Sequence, residues 1–600
     1  MKNTLHLPVW SALESLVIAT VLFFITHSAR AQGTTTWSGA NTAVDINWSD
    51  AANWTTSGGS TPPGPTDSVI FGNNAFPAST NAVGATNNIV TASTSIGALS
   101  YLNVSPNTHT TQINGGQTLT VNGTFTAGVA SSTTVATMTG TGNFTVNNVS
   151  GNFNVGGAGS STETVTLTLA DGTNTINAKT LSVGESASNN GRQCNLNLGA
   201  GPTIINADSV NFGTGKASGT LQWVNAEDTN SLSIHDHTGT GRAALLLGNG
   251  TSGSGASNGK ILAAGHPVTI LASTITLGRL GNTTGNQQGT LTFDTGTVDA
   301  TSVLMEVLPS SGVGAGTANS SQLNVGGNPT NSATLTVNSA GGGSFMISDS
   351  SNTSAGRVSS ATFNLMTNGT ALVFCPIAKA MAANNTATLN ITGGTLNMEA
   401  ATNTIGTRQV PMDNVTLDFA TLDFAEDGSS LNLAAGALTL LDTNVVNVSS
   451  LPPIIHLPTS IPIITYTSLG GTLNIGINSL PGGYQGNIVD DGQGTISLVI
   501  TSGPVVVAKQ DEWLGLVNTN WDVTTLNWTN AGLSVTNYTE ADFVTFDDKA
   551  VTGNVTLLGN QHSPSGVTVN NNTVNYVLSG SGKISGATSL AKSGSASLRL

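Results

Sequence analysis

The chain has 600 residues, of which only 8% are charged and 72 are Gly, and it carries a net charge of −15 with a pI near 4.7. Such a chain lacks the basic stripes that hold nucleic acid, and its recurrent Val, Ile and Thr separate it from highly charged disordered sequences. Its two cysteines, Cys194 and Cys375, make no disulfide framework.

Residues 1–31 read as a signal peptide. Lys2 gives a positive start, Leu16 to Ile25 is a ten-residue run apolar but for Thr20, and Ala29-Arg30-Ala31 offers the small residues that signal peptidase reads. The apolar run is short for a membrane span. Cleavage is expected to leave Gln32 at the N-terminus of a protein passed through an export machinery, then secreted or held at the bacterial outer surface.

Residues 32–90 form a first Trp-rich β module. Trp37-Ser-Gly39 opens it, Trp48 and Asn53-Trp54 follow, and Asp67-Ser-Val-Ile-Phe71 closes it. The same string returns in residues 506–550 as Trp513-Leu-Gly515, Trp521, Asn527-Trp528 and Asp542-Phe-Val-Thr-Phe546. The interval from the Asn-Trp pair to the Asp is nearly the same in both copies, Trp54 to Asp67 and Trp528 to Asp542. The repetition predicts two copies of one small unit in which these Trp, Asp and Phe residues hold a core rather than bind a ligand, since three indoles bury much apolar area.

Residues 91–505 are a run of short alternating strands: Gln117-Thr-Leu-Thr-Val-Asn122, Val165-Thr-Leu-Thr-Leu169, Gly219-Thr-Leu-Gln-Trp223, Gly289-Thr-Leu-Thr-Phe293 and Ala333-Thr-Leu-Thr-Val-Asn338. Apolar residues at every second position predict strands with one buried face, and the Gly, Asn and Ser between them predict turns. Leu119, Phe144, Leu167, Leu196 and Leu221 follow one another at a loose period in the twenties. Such a period predicts stacked coils. The expected class is all-β, a right-handed parallel β-helix capped by the Trp-rich modules, with about 17 coils over about 80 Å. A string of β-sandwiches is the competing fold. Cys194 shares parity with Leu196 and should point inward, and roughly seven coils should separate it from Cys375, beyond disulfide reach. Pro452, Pro453 and Pro462 suit an edge or a final coil.

Candidate chemistry is sparse. His235-Asp236-His237 puts two imidazoles on one strand face but shows no third ligand, so a solvated turn is the expected reading. Asp418, Asp423, Glu426 and Asp427 form the densest acidic group; paired carboxylates serve glycoside hydrolysis and calcium sites. No basic partner lies near them, Asp423 and Glu426 are expected to be the exposed pair, and Asp490-Asp491-Gly492 reads as a turn. The pattern predicts no catalytic residue, no metal site and no cofactor.

Residues 551–600 begin a second repeat solenoid that is expected to continue past Leu600. In it Gly586, Leu590, Lys592, Gly594, Leu598 and Leu600 follow the spacing G-x-G-x-L-x-K-x-G-x-G-x-L-x-L, with Thr588 and Ala596 where Gly is preferred. This stretch resembles the autotransporter-associated β-strand repeat. The resemblance implies a large exported bacterial protein with a β-helical passenger region. Two functions follow as expectations: a non-catalytic, adhesin-like surface scaffold whose partners are glycans or other cells, or a β-helix enzyme that degrades polysaccharide, as a lyase or glycoside hydrolase. Fold alone does not separate them; the scarcity of basic residues, 16 in all, favours the scaffold.

Overall fold

A computed structural model describes residues 33–600 apart from 74–85, 130–131, 157–163, 187–190, 226–229, 251–255, 282–284, 309–315, 352–356, 383, 399–403, 427–431, 455, 506, 531–533, 560 and 587. The signal-peptide expectation on residues 1–31, the cleavage at Gln32 and Asp427 lie outside the described residues.

The chain is all-β, and its long sheets are built from parallel strands, each paired with the equivalent strand of the next turn: a parallel β-helix. Alternation creates it. In Val165-Thr-Leu-Thr-Leu169 the Val and Leu side chains are buried while Thr166 and Thr168 face outward, half-buried, and a period-2 strand can do both only if one face meets a core. The same parity buries Cys194, as its position beside Leu196 requires.

Each coil has three faces. The long strands Asn143–Val155, Asn174–Ser186 and Thr203–Gly215 bend at a corner. The first half of Asn143–Val155 stacks on Thr118–Val121 and its second half on Phe125–Ala127. The third face is one ladder running through Thr108–Ile113, Thr134–Thr139, Thr164–Thr168, Arg192–Leu198 and Ala217–Trp223.

These registers correct the spacing argument. Leu119 pairs with Phe144, Leu167 with Leu196 and Leu196 with Leu221, so each of those three steps is a true coil. Phe144 instead pairs with Asn174. Leu167 belongs to the third face, so the step from Phe144 to Leu167 crosses a corner. Coil length also varies widely: Val90 stacks on Ile113, whereas Leu221 stacks only on Ile261 and Val303 on Phe345. The longer coils carry loops. The third face is a 16-stranded sheet that ends in an antiparallel pair, so among the described residues it holds 14 parallel strands rather than about 17 coils. Cys194 and Cys375 are correspondingly about five coils apart rather than seven, roughly 24 Å at the strand spacing, and both remain free thiols.

The glycine that leads Gly219-Thr-Leu and Gly289-Thr-Leu is not a turn residue but a point of close approach. A Cβ on Gly219 would sit 1.9 Å from the Val183 carbonyl oxygen and one on Gly289 2.5 Å from the Leu277 Cα. One coil further on, Ser321 takes the place of that glycine, and its hydroxyl donates to a Glu306 carboxylate oxygen across the same corner.

The solenoid ends where Pro462 falls. Strand Thr459–Gly471 stacks in parallel on Leu433–Leu441 from Ile464 onward, while its first half pairs antiparallel with Thr495–Ser502. That strand and Gln485–Asp490 make an antiparallel hairpin that covers the last parallel edge, which otherwise would template further pairing.

The first Trp module is the opening turn of this same solenoid. Ser68–Gly72 pairs with Ala98–Leu102, and one continuous core runs from Trp37 to Ile500. The second module starts a separate core, from Trp513 to Leu578. Among the described residues no strand pairing joins the two.

Candidate functional site

The two Trp modules share one strand pairing and one indole cluster. Trp37 pairs antiparallel with Trp54, and Trp513 with Trp528. The indoles meet edge to face, with centroids 4.8 Å apart for Trp37 and Trp54, 5.3 Å for Trp48 and Trp54, 5.0 Å for Trp513 and Trp528, and 5.3 Å for Trp521 and Trp528. Phe71 and Phe546 complete the clusters. Edge-to-face packing suits ring quadrupoles and adds to the burial of area. All six indoles are buried.

A residue that the Asn-Trp pairing signalled but did not explain organises each module. Asn53 Oδ1 accepts from the Asn41 amide, Asn53 Nδ2 donates to the Asp45 carbonyl, and its own carbonyl accepts the Ser38 and Gly39 amides. Asn527 repeats this with the Val517 amide, the Asn520 carbonyl, and the Leu514 and Gly515 amides. Gly39 and Gly515 take positive φ, 58° and 63°, at this turn, which accounts for the W-x-G pattern. The aspartates tie down the strand entry: Asp67 accepts from the Ser60 and Gly64 amides, and Asp542 from the Lys509 and Thr539 amides.

At one buried position of the opening strand the copies differ in charge. Thr35 in the first module, across from Val69, corresponds to Asp511 in the second, across from Val544. Thr35 Oγ1 donates to the Ser60 carbonyl. Asp511 is a buried carboxylate beside Asp542, with Lys509 Nζ 3.8 Å from Asp511 and 3.4 Å from Asp542. Burial, then the hydrogen bond and charge of Asp542, push its pKa up to about 7. Sequence comparison of the two copies holds this signal, because a carboxylate stands where the other copy has a hydroxyl.

The acidic group of the sequence does not converge. Asp418 ends a third-face strand, Met412–Asp418, while Asp423 lies in Thr421–Phe424 on another face. Asp423 is a rung in an amide ladder, accepting from Asn397 Nδ2 at 3.3 Å and Asn447 Nδ2 at 2.7 Å. Glu426, expected to be exposed, is only 2% accessible; counting from Asp423, three steps of alternation turn it inward. Among the described residues, Asp418 and Asp423 thus stand on different faces. Asp490 and Asp491 do hold a turn, accepting from the Gly492 amide and from the Gln493 and Thr495 amides.

The residues of the repeat motif lie in the last coil. Leu590 and Lys592 belong to Leu590–Ser593, stacked on Gly566–Asn570, and Leu598 to Leu598–Arg599, paired with Tyr576. Gly594 turns between them at φ 79°, where a Cβ would lie 2.0 Å from the Asn571 carbonyl oxygen. Gly586 also has positive φ, 83°, and Leu600 is exposed.

The outer side of the third face is an extended surface. One column of it reads Thr292, Asn324, Asn364, Asn390, Thr416, Thr439 on successive strands. Its amides are joined along the axis: Asn324 Nδ2 donates to Thr292 at 2.9 Å, Asn364 Nδ2 to Asn324 at 2.7 Å and Asn390 Nδ2 to Asn364 at 2.9 Å. An earlier column joins Gln222 to Asn197 and Asn197 to Thr168. The column side chains are neutral and half-buried. A groove on the same face is lined by Gln193, Asn195, Ser218, Thr220, Asn258 and Lys260. Another, between Pro62–Pro65 and residues 91–95, is lined by no titratable side chain.

No protein-family model matches the chain, and neither a curated protein nor a solved structure is significantly similar to it.

Proposed function

We propose that this protein is a non-catalytic exported scaffold, secreted or displayed at a bacterial surface, whose solenoid presents extended polar faces to glycans or to other cells. The observation that carries this reading is the neutral ladder of hydroxyls and amides along the third face, repeated at the strand spacing over successive coils. Hydroxyls and carboxamides offer both donors and acceptors, and a column without charge suits a neutral polyhydroxylated partner rather than a polyanion. The resemblance of Gly586 to Leu600 to the autotransporter-associated repeat supports export, as does the leader read in residues 1–31.

The test is binding without turnover. Purified protein incubated with a panel of neutral and uronic-acid polysaccharides should retain some of them on a surface while releasing no reducing ends and no unsaturated uronate. Replacing Asn324, Asn364 and Asn390 by Lys should abolish retention, and Asp423→Asn should leave it unchanged. Release of sugar ends that Asp423→Asn removes would favour the enzyme instead. Secreted material should begin at Gln32 by mass spectrometry; an intact Met1 on most molecules would refute the export reading.

A further inference from the structure

The structure brings a third ligand to the one motif that lacked it. Asn206 pairs with His235 on the neighbouring coil, so Asp208 and His237 each lie two residues past that pair, at one corner. Asp208 therefore meets His237, and its carboxylate accepts from both the His237 imidazole Nδ1 and the His237 amide. Asp236 supplies the third group: one ligand atom each from Asp208, Asp236 and His237 lies within 4.8 Å of the others.

The set is fixed before any ligand arrives. Asp236 Oδ1 accepts from the Thr238 amide, the Thr238 hydroxyl and the Gly241 amide, which orients the carboxylate and leaves Oδ2 outside these bonds. These bonds, the Thr238 hydroxyl first, lower the Asp236 pKa, and the His237 imidazole lowers that of Asp208, so both are anionic at neutral pH. His235, the other imidazole of the motif, stands apart from this set. The strand ends at His235 and the chain turns, leaving its Nδ1 buried and without a hydrogen-bond partner. Lys179, at the same corner one coil earlier, forms no ion pair with Asp208.

We propose that Asp208, Asp236 and His237 bind a divalent transition-metal cation, of the zinc class, as a clamp between two successive coils. One imidazole nitrogen and two carboxylates are the mixed donors that such cations take, with solvent completing the shell. On binding, the His237 Nδ1 lone pair forms the metal bond in place of its hydrogen bond to Asp208, with the ring proton held on Nε2, and the cation balances the charge of the two carboxylates. Nothing in this depends on the glycan reading above. The clamp joins strands Thr203–Gly215 and Leu232–His235 outside their ladder, at a corner where backbone pairing is interrupted by the turn.

The experiment is calorimetric titration of the full chain with zinc chloride in a non-coordinating buffer at pH 7.5. One saturable site is expected. His237→Ala and Asp208→Asn should each weaken it by more than about tenfold, while His235→Ala leaves it unchanged. Asp208 and His237 are exposed, and circular dichroism checks that the variants fold. Hydrogen exchange supplies a second readout: zinc should slow exchange in peptides covering 206–211 and 235–242 of the wild type and not of His237→Ala. Absence of a saturable site, or one retained by His237→Ala and Asp208→Asn together, would overturn the assignment.

Discussion

The duplicated Trp module makes a pH experiment with its own control. Asp511 is 1% accessible and shares its pocket with Asp542 and Lys509. Its pKa of about 7 in the folded chain compares with about 3.9 for an unfolded aspartate. A carboxyl whose folded pKa is raised binds its proton more tightly in the native state. Its stabilising contribution is therefore complete at low pH and is lost as pH rises from about 4 through 7. Linkage sets the slope at about 1.4 kcal/mol per pH unit, or about 4 kcal/mol across the window as an upper bound. Lys509 opposes the shift, because it favours the charged form. The first module has Thr35 at this position and lacks the effect. The assay is hydrogen exchange on the intact chain at pH 5 and pH 8, corrected for intrinsic rates. Peptides from 510–530 and 543–547 should lose protection at pH 8, and those from 34–57 and 68–72 should not. Asp511→Thr, which installs the first module's residue, should flatten the dependence. Equal protection of the second module at both pH values, or an unchanged dependence in Asp511→Thr, would refute the reasoning.

Two further outcomes follow from the core. Leu167→Asp should destabilise the solenoid by about 4 kcal/mol or more, since a carboxylate would enter a face that excludes water, whereas Thr166→Asp on the outer side should stay within about 0.5 kcal/mol; chemical denaturation of both variants checks this. Trp528→Ala should cost about 3–5 kcal/mol and, because its core is separate from the one ending at Ile500, should expose peptides 510–580 to exchange while those of the first solenoid remain protected.

Much of the architecture was legible because it rests on local alternation. Parity alone places Leu167 and Cys194 inside and Thr166 outside, and that parity survives into the structure because a strand has only two sides. The duplicated Trp strings likewise state that one packing problem was solved twice. Coil number was not legible, because Phe144 and Leu167 look alike in sequence yet stand on different faces, and a corner leaves no mark in a pattern of period two. Glu426 was misplaced for a related reason: its charge suggested solvent, while strand alternation carried it inward. The carboxylates were the harder case. That Asp208 meets His237 and Asp511 meets Asp542 depends on register between segments a full coil apart in the chain. Alternation, stacking and the closing prolines can all be read from the order of residues, since each is a local property of the strand. Which polar groups meet across coils is settled by the ladder register in three dimensions, because those groups are neighbours in the stack and not in the chain.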